Sequence, residues 1–175
     1  MKASAVLVSC ACAGALGAAG LPAHAQIREV LEDVLDIEAP GHWRLAVAPF
    51  MAHWNRSPPE PYKYVWGVAV ERQRDDRWLY GGSYFSNSFG QDSGYLYLGR
   101  QYPDLFDKPQ LFFQWSAGLL YGYKGAYADR VPVNYKAFSP GLVVSLGWQF
   151  DPQFAALVNV VGDSGLMLQL SYDWR

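Results

Sequence analysis

The stretch "LMLQLSYDWR" (166–175) alternates without a break: Leu166, Leu168, Leu170, Tyr172 and Trp174 fall on one face, and Gln169, Ser171, Asp173 and Arg175 on the other. Period two is the spacing at which side chains point to opposite sides of a strand, so one apolar and one polar face are expected. The same split recurs upstream. In 142–150, Leu142, Val144, Leu146, Trp148 and Phe150 oppose Val143, Ser145, Gly147 and Gln149. In 111–122, Leu111, Phe113, Trp115, Leu119 and Tyr121 oppose Gln114, Ser116, Gly118 and Gly122. With 43–53, 63–71, 78–87, 94–102 and 153–161 the pattern predicts eight strands, none carrying the run of about 20 apolar residues that a membrane helix needs.

The connections sort into two groups. Arg72 to Arg77, Pro103 to Pro109 and Asp151-Pro152 join strands at one end; Asn55 to Tyr62, Ser86 to Ser93, Gly122 to Lys136 and Gly162-Asp163-Ser164 join them at the other. The result is an even-numbered meander with both termini at one end. A soluble sandwich or a lipocalin-like barrel shares the strand count but hides its apolar face. Here the opposite face is small and polar, suited to the inside of a narrow barrel, and Trp and Tyr recur near strand ends in a chain that is 16% aromatic. The expected fold is all-β: an eight-stranded antiparallel up-and-down transmembrane β-barrel over 42–175, in the bacterial outer membrane and monomeric.

Upstream, Lys2, the apolar run Ala3 to Leu21 and Ala23-His24-Ala25 have the order of a secretory signal peptide over 1–25. Leu7-Val8-Ser9-Cys10 loosely fits a lipoprotein signal, but the apolar run before Cys10 is short and the better cleavage signal lies later. Both cysteines, Cys10 and Cys12, fall in the leader, which leaves no disulfide, thiol nucleophile or Cys-based metal site beyond it. Without Lys2, 13 basic residues remain of the 14, against 16 acidic ones, and no basic patch suggests nucleic acid. In "IREVLEDVLDI", Ile27, Val30, Leu31, Val34 and Leu35 keep helical spacing opposite Glu29, Glu32, Asp33 and Asp36. A short amphipathic helix over 26–38 is expected, as a periplasmic cap or brace; its acidic face argues against electrostatic binding to lipid.

Chemistry concentrates around "YFSNSFGQDSGYLYLGRQY" (84–102) and "PFMAHW" (49–54). The topology brings His53, at the end of the first strand, to the rim that carries the loop with Ser88. A hydroxyl that attacks an ester, or is delivered to it, needs a base near its proton, and imidazole is the usual one. A rim histidine bonded to loop backbone fits the same position, and Asn-Ser-Gly composition is also ordinary turn chemistry. "GDSG" (162–165) reads as a tight turn between two strands.

The order of these features resembles the lipid A palmitoyltransferases (PagP): signal, amphipathic helix, eight strands, a His after the first strand and a Ser-bearing polar loop after the third. His53 and Ser88 resemble the family's His and Ser, while Asn87 stands where the family has Asp. From Ser88 the likeness runs without a gap to Gly99 in "YLYLGRQY", which is similar to the glycine at the base of the family's acyl pocket. Pro132 in "DRVPV" and Pro140 in "FSPGLVVSLGW" resemble the prolines that interrupt pairing near the sixth strand. The resemblance implies transfer of a palmitoyl chain from a phospholipid to lipid A. His53 would be base, Ser88 hydroxyl partner and Asn87 orienter, with Gly99, Pro132 and Pro140 at the lipid site and no metal or cofactor. Asn87 is the departure, since an amide orients an imidazole but does not stabilise its charged form. Asp92-Ser93, in the same loop, offers either a substitute charge or a second Asp-Ser dipeptide. A barrel that binds lipid or stabilises the envelope without catalysis is the alternative.

Inward-facing Gly99, Ser116, Gly118, Ser145 and Gly147 leave room for a chain unless Tyr95, Tyr97, Phe112 and Leu120 fill it. Pro132 and Pro140 donate no ladder hydrogen bonds, so a loop boundary or a lateral gap is expected beside them.

Overall fold

The computed structural model describes residues 28, 32, 35, 36, 38–54, 61–131, 133–162 and 164–174. Among them are eight antiparallel strands: β1 (Gly41–His53), β2 (Trp66–Arg74), β3 (Trp78–Ser86), β4 (Asp92–Tyr102), β5 (Leu111–Tyr121), β6 (Phe138–Gln149), β7 (Phe154–Val161) and β8 (Gly165–Trp174). Each pairs with its neighbours in sequence, and β8 pairs with β1 to close the barrel. Both termini of the barrel and the β2–β3, β4–β5 and β6–β7 connections lie at one end; the β1–β2, β3–β4, β5–β6 and β7–β8 connections lie at the opposite rim.

Side-chain parity decides inside from outside. On β8, Leu168, Leu170, Tyr172 and Trp174 are exposed while Ser171 and Asp173 are buried. Water-exposed apolar residues on every strand would be costly, and lipid removes that cost. Aromatic rings mark both borders of this band. Tyr102–Phe113 and Phe154–Tyr172 pack 6.0 and 5.1 Å apart near the terminal end, and Trp66–Tyr84 and Tyr121–Phe138 lie 5.9 and 4.9 Å apart near the rim.

The half of the interior near the termini is filled. Arg44, 1% exposed, makes two hydrogen bonds to Asp173 at 2.6 and 2.8 Å. Glu71 accepts from the Tyr97 hydroxyl at 2.7 Å and from Gln73 Nε2 at 2.9 Å. Phe112, Ala155 and Leu157 form the apolar cluster beneath. Glycines admit the large rings. A side chain at Gly147 would overlap the Phe112 ring, and one at Gly141 would meet Tyr95.

β1 and β4 each start two residues earlier than expected, and two strands differ by more. β2 starts and ends three residues later than 63–71, because Arg72 to Arg74 remain in the ladder with β1. Their polarity suggests a turn, but Glu71 and Gln73 face the buried polar network, which makes them strand residues. β6 starts four residues earlier than 142, because Pro140 keeps its place beside Leu119 of β5. The leader and nearly all of the expected amphipathic helix lie outside the described residues; Arg28 and Glu32 are helical and pair at 2.7 Å.

Candidate functional site at the loop end of the barrel

The turn between β3 and β4 is built by Asn87. Its backbone N–H donates to Gln91 O at 3.0 Å and its carbonyl accepts from Gly90 N at 2.9 Å, with Gly90 at a φ of 75°. The amide closes the same turn: Oδ1 accepts from the backbone N–H of Phe89 and of Gln91, both at 3.0 Å, and Nδ2 donates to Ser93 Oγ at 3.1 Å. A short polar side chain bonding to the backbone ahead of it is the means by which Asn fixes turns. The turn is held from outside by Phe89, stacked 4.2 Å from Tyr127, and by two hydrogen bonds between the Gln91 side chain and the Lys124 backbone.

This framework presents Ser88. Its Oγ lies 2.7 Å from His53 Nε2, and its carbonyl accepts from Lys63 N at 2.9 Å. The His53 ring stacks on Tyr62, with centroids 3.8 Å apart and planes 14° apart. The next residue, Trp54, is tied to the β7–β8 turn through Trp54 N to Ser164 O at 3.1 Å. The structure thus joins His53 and Ser88 from two segments 35 residues apart, at the separation suited to proton transfer between a hydroxyl and an imidazole. It does not join Asn87 to His53, because the amide is committed to the turn. Asp92 faces outward and accepts from the Tyr84 hydroxyl at 2.8 Å, while Ser93 bonds to Asn87 and to Gln91 O. Ser88 and not Ser93 is therefore the hydroxyl at His53, and among the described residues no carboxylate bonds to the imidazole.

Ser88 and Asn87 also line a cavity of about 860 Å³ that runs into the barrel. This lies within the range of roughly 300–1,000 Å³ typical of sites that enclose a small ligand. Near the rim its wall sets the apolar Met51, Val65, Phe85, Leu120, Val161 and Met167 beside Ser88, Asp129 and Arg130; further in it becomes polar, with Glu71, Tyr97, Gln114, Ser145, Asn159 and Gln169. Tyr95, Tyr97 and Leu120 narrow the interior without filling it.

Gly99 points inward and is buried but does not line this cavity. Tyr97, two residues nearer the rim, does line the cavity, with its hydroxyl bonded to Glu71. A side chain at Gly99 would run into the backbone of Trp115 and Ser116, so glycine there permits close approach of β4 and β5. Pro140 does line the cavity. The β6–β7 ladder ends at Val143–Val161, so residues 138–142 of β6 have no β7 partner and the cavity wall opens sideways there. A second ladder stops at the same rim, since β1–β2 pairing ends at Ala48–Gly67. Pro132 lies outside the described residues.

Tyr62 and the Glu71–Tyr97 floor carried little sequence signal. Tyr62 lies in a Pro-containing loop with no periodicity. Glu71 was reachable by parity, since outward Val68 and Val70 force Ala69, Glu71 and Gln73 inward.

No protein-family profile matches the chain, and no curated protein matches it. Among solved structures, one from a study of the de novo design of transmembrane β-barrels superposes with a TM-score of 0.53 at 14% identity, covering 78% of this chain and 98% of that one. The Yersinia pestis outer membrane protein Ail, in a phospholipid bilayer nanodisc, gives a TM-score of 0.42 at 12% identity over 77% and 99%. The fold is that of an eight-stranded transmembrane β-barrel.

Proposed function

We propose that this protein is an outer-membrane acyltransferase that moves a palmitoyl-like chain from a phospholipid to lipid A. The observation that carries this reading is the His53–Ser88 contact at 2.7 Å, with Ser88 lining an interior cavity whose wall is open beside Pro140. A phospholipid chain enters sideways and lies in the cavity with its ester at the rim. Ser88 Oγ attacks the ester carbonyl while His53 Nε2 takes its proton; the bond to glycerol breaks, and that proton leaves on the lysophospholipid oxygen. A lipid A hydroxyl then attacks the acyl-serine, gives its proton to His53 and restores Ser88. Asn87 supports the reaction by holding the turn, and Tyr62 by fixing the plane of the imidazole.

One observation favours the alternative, a barrel that binds lipid or stabilises the envelope without catalysis. His53 has no carboxylate partner among the described residues, so its charged form lacks the support that a triad provides. The two readings separate in the mass spectrum of lipid A from cells with and without the protein. The transferase adds a species heavier by one acyl chain, absent with Ser88→Ala; identical spectra in cells that fold the barrel favour the binding role.

A further inference from the structure

The lipid-facing surface of the barrel has a depression that the transfer site does not use. Gly82 on β3 and Gly94 on β4 both point outward and sit diagonally across the strand pair, Gly82 opposite Leu96 and Gly94 opposite Tyr84. Without side chains there, the surface sinks between Val68 and Val70 on one flank and Leu119 and Tyr121 on the other. The groove is about 490 Å³ and apolar apart from the tyrosines and Ser83. Leu96, 68% exposed, stands along it. A disordered lipid chain sweeping over such a hollow loses dispersion contacts that a chain lying in it regains.

The groove ends at the loop rim between opposite charges. Lys124 Nζ lies 4.5 Å from the centre of the Tyr121 ring, and no ion pair involves it among the described residues. Asp92 accepts from the Tyr84 hydroxyl, which leaves its second carboxylate oxygen without a hydrogen bond among the described residues. The same clamp carries both groups, since Gln91, next to Asp92, holds the Lys124 backbone through two hydrogen bonds. A cation and an anion presented together above an apolar groove complement a head group with phosphate and ammonium on one short linker. We propose that this outer groove holds a zwitterionic phospholipid, with phosphate at Lys124, ammonium at Asp92 and one acyl chain across Gly82 and Gly94. The proposal rests on the membrane location of the barrel and not on its chemistry.

The test extracts the whole protein in mild detergent from bilayers of equal phosphatidylethanolamine and phosphatidylglycerol and counts retained lipids by mass spectrometry. Wild type should retain phosphatidylethanolamine in preference. Gly94→Leu fills the groove at a position where a Cβ meets only Ser83 O, at an ordinary 3.6 Å, and should retain one lipid fewer. Of two surface variants, Lys124→Gln should lower retention of both lipids several-fold, and Asp92→Asn should weaken the preference for phosphatidylethanolamine several-fold. Equal retention of the two lipids by wild type, or an unchanged count in the folded variants, overturns the proposal. Acyl transfer is measured in parallel, because loss of transfer with a retained groove lipid would refute the transferase alone.

Discussion

The two halves of the barrel interior are lined by alternate residues of the same eight strands, yet one is solid and the other hollow. Near the termini the inward positions hold Arg44, Glu71, Gln73, Phe112, Leu157 and Asp173, large groups that fill the lumen, with Arg44 bonded to Asp173 and Gln73 to Glu71. Near the rim the inward positions hold alanine, serine, glycine and a few apolar chains, two ladders stop short, and space remains. The lesson is a division of labour. A narrow barrel has too little lumen to be both packed and accessible at one level, so packing is concentrated at one end and open space at the other.

The largest expected effect tests the solid half. Asp173→Ala leaves the Arg44 guanidinium buried without its partner, and removing one member of such a pair typically costs about 3–5 kcal/mol. Urea unfolding of the barrel in detergent should show that loss. Ser88→Ala in the hollow half should cost only about 1 kcal/mol, the worth of one hydrogen bond. Equal costs would erase the distinction between the halves.

The boundary between the halves comes next. If Tyr97 is the floor, Tyr97→Ala should shift the transferred chains toward longer ones by a few carbons, whereas Tyr97→Phe, which keeps the ring, should not. Gly99→Met should lower the folding yield without selecting shorter chains, because a side chain there meets the β5 backbone and not the cavity. A shorter-chain profile from a well-folded Gly99→Met would return the floor to Gly99.

The smallest effect concerns Asn87. An aspartate there keeps both backbone hydrogen bonds of the turn, but its charge would act on His53 without direct contact. Asn87→Asp should therefore raise the transfer rate only a few-fold, far from the roughly 10⁴-fold effect of a carboxylate bonded to the imidazole in serine proteases. A gain of that larger size would show that the turn rearranges to bring residue 87 onto His53.

Much of this architecture was legible in the sequence, because parity is a local property. Leu166 to Trp174 announced an apolar outside, and the connection pattern announced an even meander. The meeting of His53 with a hydroxyl was also legible, since it needs only strand order and a rim. What was not legible depends on side-chain reach across the barrel. Asn87 bonds back to its own turn instead of toward His53, Tyr62 arrives from an irregular segment, and the Tyr97 hydroxyl finds Glu71 on another strand. Parity says that such residues face inward but not how far they extend.

The central claim, that His53 and Ser88 perform acyl transfer, is tested most directly with purified barrel in bilayers containing lipid A and a phospholipid with an isotope-labelled acyl chain. Wild type should move the label to lipid A and release lysophospholipid in equal amount. His53→Ala and Ser88→Ala should each lower the rate by about 10²–10⁴-fold, and the double variant should be little worse than either. Wild-type barrel that is folded yet moves no label, or transfer that survives in both single variants, would contradict the account.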